Sequence, residues 1–206
     1  IKYTEEQKNM EKEYISSYNR NYLKIWDAPE PKAKYVIGVD ASEGVGADFN
    51  VIHVYSADLV QVAEFRSNKT APHEVAKVVY ELGVWYNMAL IVVEKASGGH
   101  IVLDRLRNIY GYKNLYKHKD YDVRSGRMIK KIGFSTNPKT KPILINDFVE
   151  LFDNDDICIK SLALLNEMKT YEYADGKMNA VTGRHDDTVI ATALAVQGVR
   201  SGVRYH

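Results

Sequence analysis

The sequence predicts an α/β domain. A central mixed sheet, made of an antiparallel three-strand meander plus parallel strands, is flanked by helices and carries an extra β-hairpin. Three observations predict it. Strand-like runs at residues 35–40, 50–55 and 59–65 follow one another at meander spacing. Leu90-Ile91-Val92-Val93-Glu94, beyond a helical stretch, is apolar on both faces, which is the pattern of a central parallel strand. Ala174-Asp175-Gly176 separates two further short runs, and Asp-Gly is a strong hairpin signal. The 206 residues, 45% hydrophobic and 27% charged, suffice for one such domain with an appended arm.

In chain order, residues 1–26 place Met10, Tyr14, Ile15 and Tyr18 at helical spacing and read as an amphipathic helix. Asp27-Ala28-Pro29-Glu30-Pro31 then breaks it, so residues 1–31 are expected to form an arm and linker, and 32–206 the domain. The first strand ends in Asp40. A Gly-rich turn precedes the second, and Ser56-Ala57-Asp58 makes a hairpin of the second and third. Residues 72–86 are helical, with Thr70 as candidate N-cap and Pro72 in the first turn. After the Leu90–Glu94 run come a helix over 99–109, a short strand over 114–116, and a basic stretch over 117–138 that is either an ordered hairpin or a flap. A helix over 139–152, a short strand over 157–159 and a short helix over 161–169 precede the Asp-Gly hairpin. The last helix, 185–197, carries Ala191, Ala193 and Ala195, which permit close packing on a sheet.

Net charge is +1, but its distribution is uneven. From Lys113 to Lys141 nine Lys/Arg face only Asp120 and Asp122, leaving the remainder acidic overall. A basic strip beside an acidic body suits a protein that grips a polyanion and holds cations elsewhere. The 15 tyrosines are read as core and hairpin packing. Cys158, the single cysteine, excludes an intrachain disulfide framework and a zinc site built on several thiolates. Flanked by Ile157 and Ile159, it reads as a buried, inert thiol, and a reducing cytoplasm fits. No apolar run approaches the roughly 20 residues of a membrane span.

Three acidic positions stand out by where they fall: Asp40 ends the first strand, Glu94 ends the fourth, and Asp186 and Asp187 open the last helix. A meander, a helix, a parallel strand and later helices is the RNase H-like order, in which the first and fourth strands lie side by side. Their ends then bring Asp40 and Glu94 within reach of one cation. Phosphodiester hydrolysis requires a hydroxide at neutral pH and charge stabilisation at two oxygens, tasks that two divalent ions about 3.5–4 Å apart perform. Hard ions such as Mg²⁺ take oxygen ligands, and converging carboxylates make physical sense mainly around such ions.

These residues carry a resemblance. Gly38-Val39-Asp40-Ala41-Ser42-Glu43-Gly44-Val45-Gly46-Ala47-Asp48 resembles the first nuclease motif of the large terminase subunits of tailed bacteriophages. Val92-Val93-Glu94-Lys95-Ala96-Ser97-Gly98 resembles the second motif, Gly133-Phe134 with Thr136 and Lys139-Thr140-Lys141-Pro142 the approach to the next helix, and Gly183-Arg184-His185-Asp186-Asp187 the closing motif. The resemblance covers residues 34–198. It implies an RNase H-like, two-metal endonuclease, using Mg²⁺ or Mn²⁺, that cuts concatemeric double-stranded viral DNA during packaging in the host cytoplasm, at the procapsid.

By position, Asp40, Glu94 and Asp187 look like catalytic metal ligands, with Asp186 as the other closing candidate. Adjacent helical residues point about 100° apart, so only one of that pair faces the metals. Asp48 either assists the second ion or caps a turn. His185 is either a transient ligand and proton carrier or a helix-start side chain bonded to backbone. Lys117, Lys119, Arg124, Arg127, Lys130 and Lys131 are expected to hold the DNA backbone. Lys139 and Lys141 bind phosphate or cap their helix, and the turn Ser97-Gly98-Gly99 offers helix-start amides to a phosphate. The resemblance also implies a packaging ATPase on the same full-length chain, and portal and small terminase subunit as partners. No G-x-x-x-x-G-K-[ST] phosphate loop occurs in the sequence, so the ATPase is expected to precede it, joined through the arm. The alternatives are a resolvase- or transposase-type nuclease of the same fold, and a DNA-gripping motor module with a latent nuclease.

Overall fold

The computed structural model of the chain describes residues 22–43, 46, 48–122, 125–174, 177–180 and 186–201. The expected arm helix through residue 21, Arg124, the Asp175-Gly176 turn and His185 lie outside the described residues.

A five-stranded mixed sheet is formed by β1 (Leu23–Ile25), β2 (Tyr35–Asp40), β3 (Asn50–Ser56), β4 (Gln61–Ser67) and β5 (Leu90–Val93), in the order β1-β4-β3-β2-β5. The meander pairs β2 with β3 and β3 with β4 antiparallel, and β5 joins β2 in parallel, Val36 opposite Leu90 through Val39 opposite Val93. β5 closes the named sheet, yet its outer edge is also paired. Tyr116 N–H donates to Ile91 O at 2.9 Å and Phe134 N–H to Val93 O at 2.8 Å. The expected 114–116 strand is thus reduced to a bridge at Leu115.

β1 corrects the helical reading at residues 23–25. Leu23 and Ile25 alternate with Lys24, a period of two, and lie antiparallel on β4. Leu23 and Ile25 pack on the core while Lys24 reaches Glu64 at 3.1 Å.

Helices cover both faces. On one, α1 (Pro72–Trp85) buries Val75, Val79 and Leu82 against Ile37, Ile52 and Phe65. Its N-cap is Ala71, one residue beyond Thr70, whose hydroxyl instead donates to Ser67 Oγ at 2.8 Å. Glu74 supplies the cap by accepting from the Ala71 N–H. The short α2 (Gly99–Asp104) continues as a π-helical turn over Arg105–Ile109.

On the other face lie α3 (Thr140–Asp153), α4 (Leu162–Met168) and α5 (Asp187–Arg200). α5 is flush against β2: a Cβ on Gly38 would come within 1.9 Å of Ala191 O. The small residues Ala191 and Ala195 are fully buried there, as their spacing predicted.

Two hairpins stand apart from the sheet, β6 (Lys117–Asp122) with β7 (Arg127–Ile132), and β8 (Tyr171–Ala174) with β9 (Lys177–Ala180). The basic strip is therefore an ordered hairpin in its described part. Tyr35, Tyr55, Tyr86, Tyr112 and Tyr116 are buried, as expected of core packing. Cys158 departs from expectation. It pairs through its backbone with Val60 at the sheet margin, Ile157 turns inward, and its own thiol is exposed.

Candidate active site

Side chains alternate along a strand, and Gly38 faces α5, so Asp40 two residues on faces α5 as well. The parallel register of β2 and β5 puts Glu94 next to it, with the Glu94 N–H donating to Val39 O at 3.0 Å. The turn after Glu94 is tight. A Cβ on Gly99 would lie 1.7 Å from Glu94 O, and Ser97 takes a left-handed φ of 50°. The amides of that turn are spent internally, Gly98 N–H on Ala41 O at 3.0 Å and Gly99 N–H on Ala96 O at 2.9 Å. Those two glycine amides are therefore not available to a phosphate.

Helix α5 brings the closing aspartates to the same place. Asp186 is its N-cap residue and Asp187 its first. Asp187 Oδ2 accepts the Phe49 N–H at 3.0 Å, and Asp186 Oδ2 is paired with Lys141 Nζ at 3.0 Å. Burial, then the Glu94 and Asp187 carboxylates, push Asp40 well above the usual carboxylate range. Asp40 and Glu94 share a hydrogen bond. Glu94 is also raised, first by burial; the bond to Asp40 and the Lys141 ammonium act against this, while Asp186 and Asp187 add to it. Asp187 thus bears more on Asp40, and Asp186 more on Glu94.

Four carboxylates, with Lys141 beside them, stand near enough to repel one another. That chemistry fits hard divalent cations. Among the described residues, no three His, Cys, Asp or Glu side chains converge as a closed metal-holding group. The arrangement is a hydrogen-bonded pair, with each closing aspartate held by a partner of its own.

The other candidates are spread more widely. Asp48 is exposed on the loop before Phe49. Lys117, Lys119, Arg127, Lys130 and Lys131 are exposed on the β6–β7 hairpin, and Lys139 is exposed at the start of α3.

Several residues that shape the site gave no signal in the sequence. Asn50, fully buried, accepts the Ser42 N–H at 3.0 Å and donates to Thr70 O at 2.9 Å, fixing the loop after Asp40. Glu167 accepts the Thr188 N–H at 2.8 Å and the Thr188 hydroxyl, so a carboxylate from α4 holds the first turn of α5. Arg66 lies 3.7 Å from Glu167 and stacks 3.4 Å over the Phe49 ring, whose backbone holds Asp187. Apart from the bond between Asn50 and Ser42, these links join different elements of the fold, out of reach of any local pattern.

Comparison with known proteins agrees with this architecture. The large terminase nuclease of the thermophilic phage G20c, solved with bound magnesium, superposes with a TM-score of 0.68 at 19% identity, covering 87% of this chain and 89% of that one. The Thermus phage P74-26 large terminase nuclease domain gives 0.65 at 20% identity over 92% of both chains. The human cytomegalovirus terminase nuclease domain gives 0.53 at 11% identity over 95% and 94%. The G20c nuclease has also been solved with cobalt and with zinc. The family model of the terminase RNaseH-like domain matches residues 37–198. From Ile37 on β2, through Asp40, Glu94, Asp186 and Asp187, almost to the end of α5, the chain belongs to the terminase RNaseH-like domain family.

Proposed function

We propose that this chain is a metal-dependent endodeoxyribonuclease that cuts concatemeric viral double-stranded DNA during genome packaging. The observation that carries the reading is the placing of Asp40, Glu94, Asp186 and Asp187 at one end of the sheet, near enough for their charges to repel, a repulsion that cations would relieve. Asp40, Glu94 and Asp187 would hold two Mg²⁺ or Mn²⁺ ions, with Asp186 as the alternative or additional ligand. Such ions supply an acidified water and charge stabilisation at the leaving oxygen.

The chain's own residues do the rest. β2 and β5 fix Asp40 and Glu94 side by side, and α5 delivers the aspartates. Lys141 balances Asp186 and tempers Glu94. Asp48 and His185 are auxiliary candidates. Cations of the β6–β7 hairpin, with Lys139, hold the DNA backbone without reading bases. Residues 1–31 connect to a packaging ATPase of the same full-length chain, with β1 already laid on the sheet. The portal and the small terminase subunit are the expected partners, in the host cytoplasm at the procapsid. Among the described residues, no helix is long and apolar enough to cross a membrane.

The test is plasmid cleavage with Mg²⁺, Mn²⁺, Ca²⁺ or EDTA, beside Asp40→Asn. Cutting is expected with Mg²⁺ or Mn²⁺ and falls to background in D40N, while DNA binding persists. A D40N protein that still cuts would sink the carboxylate site. A wild-type chain that binds DNA but never cuts would favour the latent motor module.

A further inference from the structure

A cavity of about 620 Å³ lies between the α2 helix with its π-helical turn and the β6–β7 hairpin. Lys95, Arg107, Lys117, Lys130 and Lys131 line it, against Asp104 as the single carboxylate of the lining among the described residues. Asp104 accepts a hydrogen bond from Asn108 at 2.6 Å, which spends part of its acceptor capacity within the wall.

The groove begins where the chain leaves the carboxylate cluster: Lys95, which lines it, directly follows Glu94. It is also a built feature. Gly133, at φ 82°, brings the base of the hairpin so close that a Cβ there would stand 2.7 Å from Leu103 and 3.0 Å from the Lys95 Cγ. The opposite wall is a π-helical turn, which inserts a residue into a helix and often marks a working surface; it leaves Arg107 exposed in the groove. In the hairpin register Lys119 stands directly opposite Lys130. Like charges so placed cost stability, and a polyanion lying over them relieves it.

We propose that this groove holds the phosphodiester backbone of DNA on the Glu94 side of the carboxylate cluster, with Arg107 and Lys95 as phosphate ligands beyond those of the hairpin. The proposal rests on the reading of the chain as a DNA nuclease and adds a second stretch of backbone contact beside the site. Arg107 supplies a planar fork suited to phosphate oxygens, and the lysines supply point charges along the groove.

Binding of the 206-residue chain to a duplex oligonucleotide, in EDTA across a range of salt, tests it. Wild type, Arg107→Ala, the double variant R107A/K130A, and Lys32→Ala as an exposed cation outside the groove are compared. Each lost phosphate contact lowers the slope of log K against log salt by about 0.9 for duplex DNA. R107A should lose about one such step and the double variant about two, with K32A unchanged and all melting temperatures alike. Wild-type slope and affinity in both groove variants would overturn the groove while leaving the nuclease reading intact; the groove would then suit an acidic protein segment. An equal loss in K32A would mark diffuse attraction and also overturn it. A wild-type chain that binds no duplex at any salt would remove both readings.

Discussion

Two sets of carboxylates, one buried and one half-buried, share the α5 side of one sheet, a single pleat apart. In the row Gly38–His53–Glu64, Glu64 is fully partnered: Lys24 and His53 each stand 3.1 Å from its oxygens, and the Ser161 hydroxyl donates to it. Thr192 continues the network to His53 at 2.8 Å and to Tyr55 at 3.3 Å. Burial alone would raise Glu64, but His53, Ser161 and Lys24 outweigh it and hold the group at about 2. Two residues along β2, Asp40 faces Glu94, Asp186 and Asp187 and is driven the other way. The same element types, strand and helix, thus build one site that stabilises its charge and one in which repulsion outweighs the partners. Natural folds tolerate the second kind where function needs it.

The largest stability effect is expected in the partnered set. Glu64→Gln leaves His53 and Lys24 without their carboxylate, at a cost of about 3 kcal/mol, the lower end for breaking a buried pair. That is a fall of roughly 6–12 °C in Tm for a domain of this size. Because the folded pKa lies below the ordinary 4.5, this stabilisation is complete above about pH 4.5 and is lost as pH falls toward 2. Wild type should therefore lose denaturant stability steeply between pH 5 and pH 2, and E64Q much less. Equal slopes would show that the network does not carry the charge.

The carboxylate cluster should respond with the opposite sign. Asp40 has a folded pKa above its unfolded value, so its charge costs stability at neutral pH, and the cost is relieved as pH falls through the folded pKa. Asp40→Asn in EDTA should raise Tm, each kcal/mol relieved being worth roughly 2–4 °C here. Mg²⁺ or Mn²⁺ should raise Tm in wild type and do so less in D40N. A D40N protein that melts lower than wild type in EDTA would erase the contrast between the two sets.

The two sets also differ in how far the sequence exposes them. Asp40 and Glu94 are legible because each closes an apolar strand, and strand ends converge where the strands are parallel neighbours. The β1 strand is too short for its period of two to stand out beside a helical pattern. The exposure of Cys158 follows from a backbone pairing with Val60 that no local feature announces. His53 and Glu64 are visible only as polar residues within strands; their register, opposite one another, depends on an irregularity between Val54 and Tyr55. The choice between Asp186 and Asp187 rests on Lys141 and Phe49, one on α3 and one in the loop before β3, which only the folded chain brings together.

The smallest expected effect lies where the two sets approach each other, at Glu167. Its carboxylate holds Thr188, the residue after Asp187, and its other oxygen faces Arg66, which stacks on Phe49. Phe49 in turn donates to Asp187. These contacts close a ring that fixes both the backbone and the side chain of Asp187. Glu167→Gln keeps an acceptor for Thr188 but removes the charge facing Arg66 and the start of α5, a loss of about 1 kcal/mol by the helix-dipole scale. If Glu167 acts only on stability, cleavage by E167Q below its melting range should match wild type at every Mn²⁺ concentration. If it positions Asp187, the Mn²⁺ concentration needed for half-maximal cutting should rise severalfold while duplex binding in EDTA stays unchanged. Unchanged metal dependence would return Glu167 to the partnered set, as one more buried carboxylate whose work is holding helices in place.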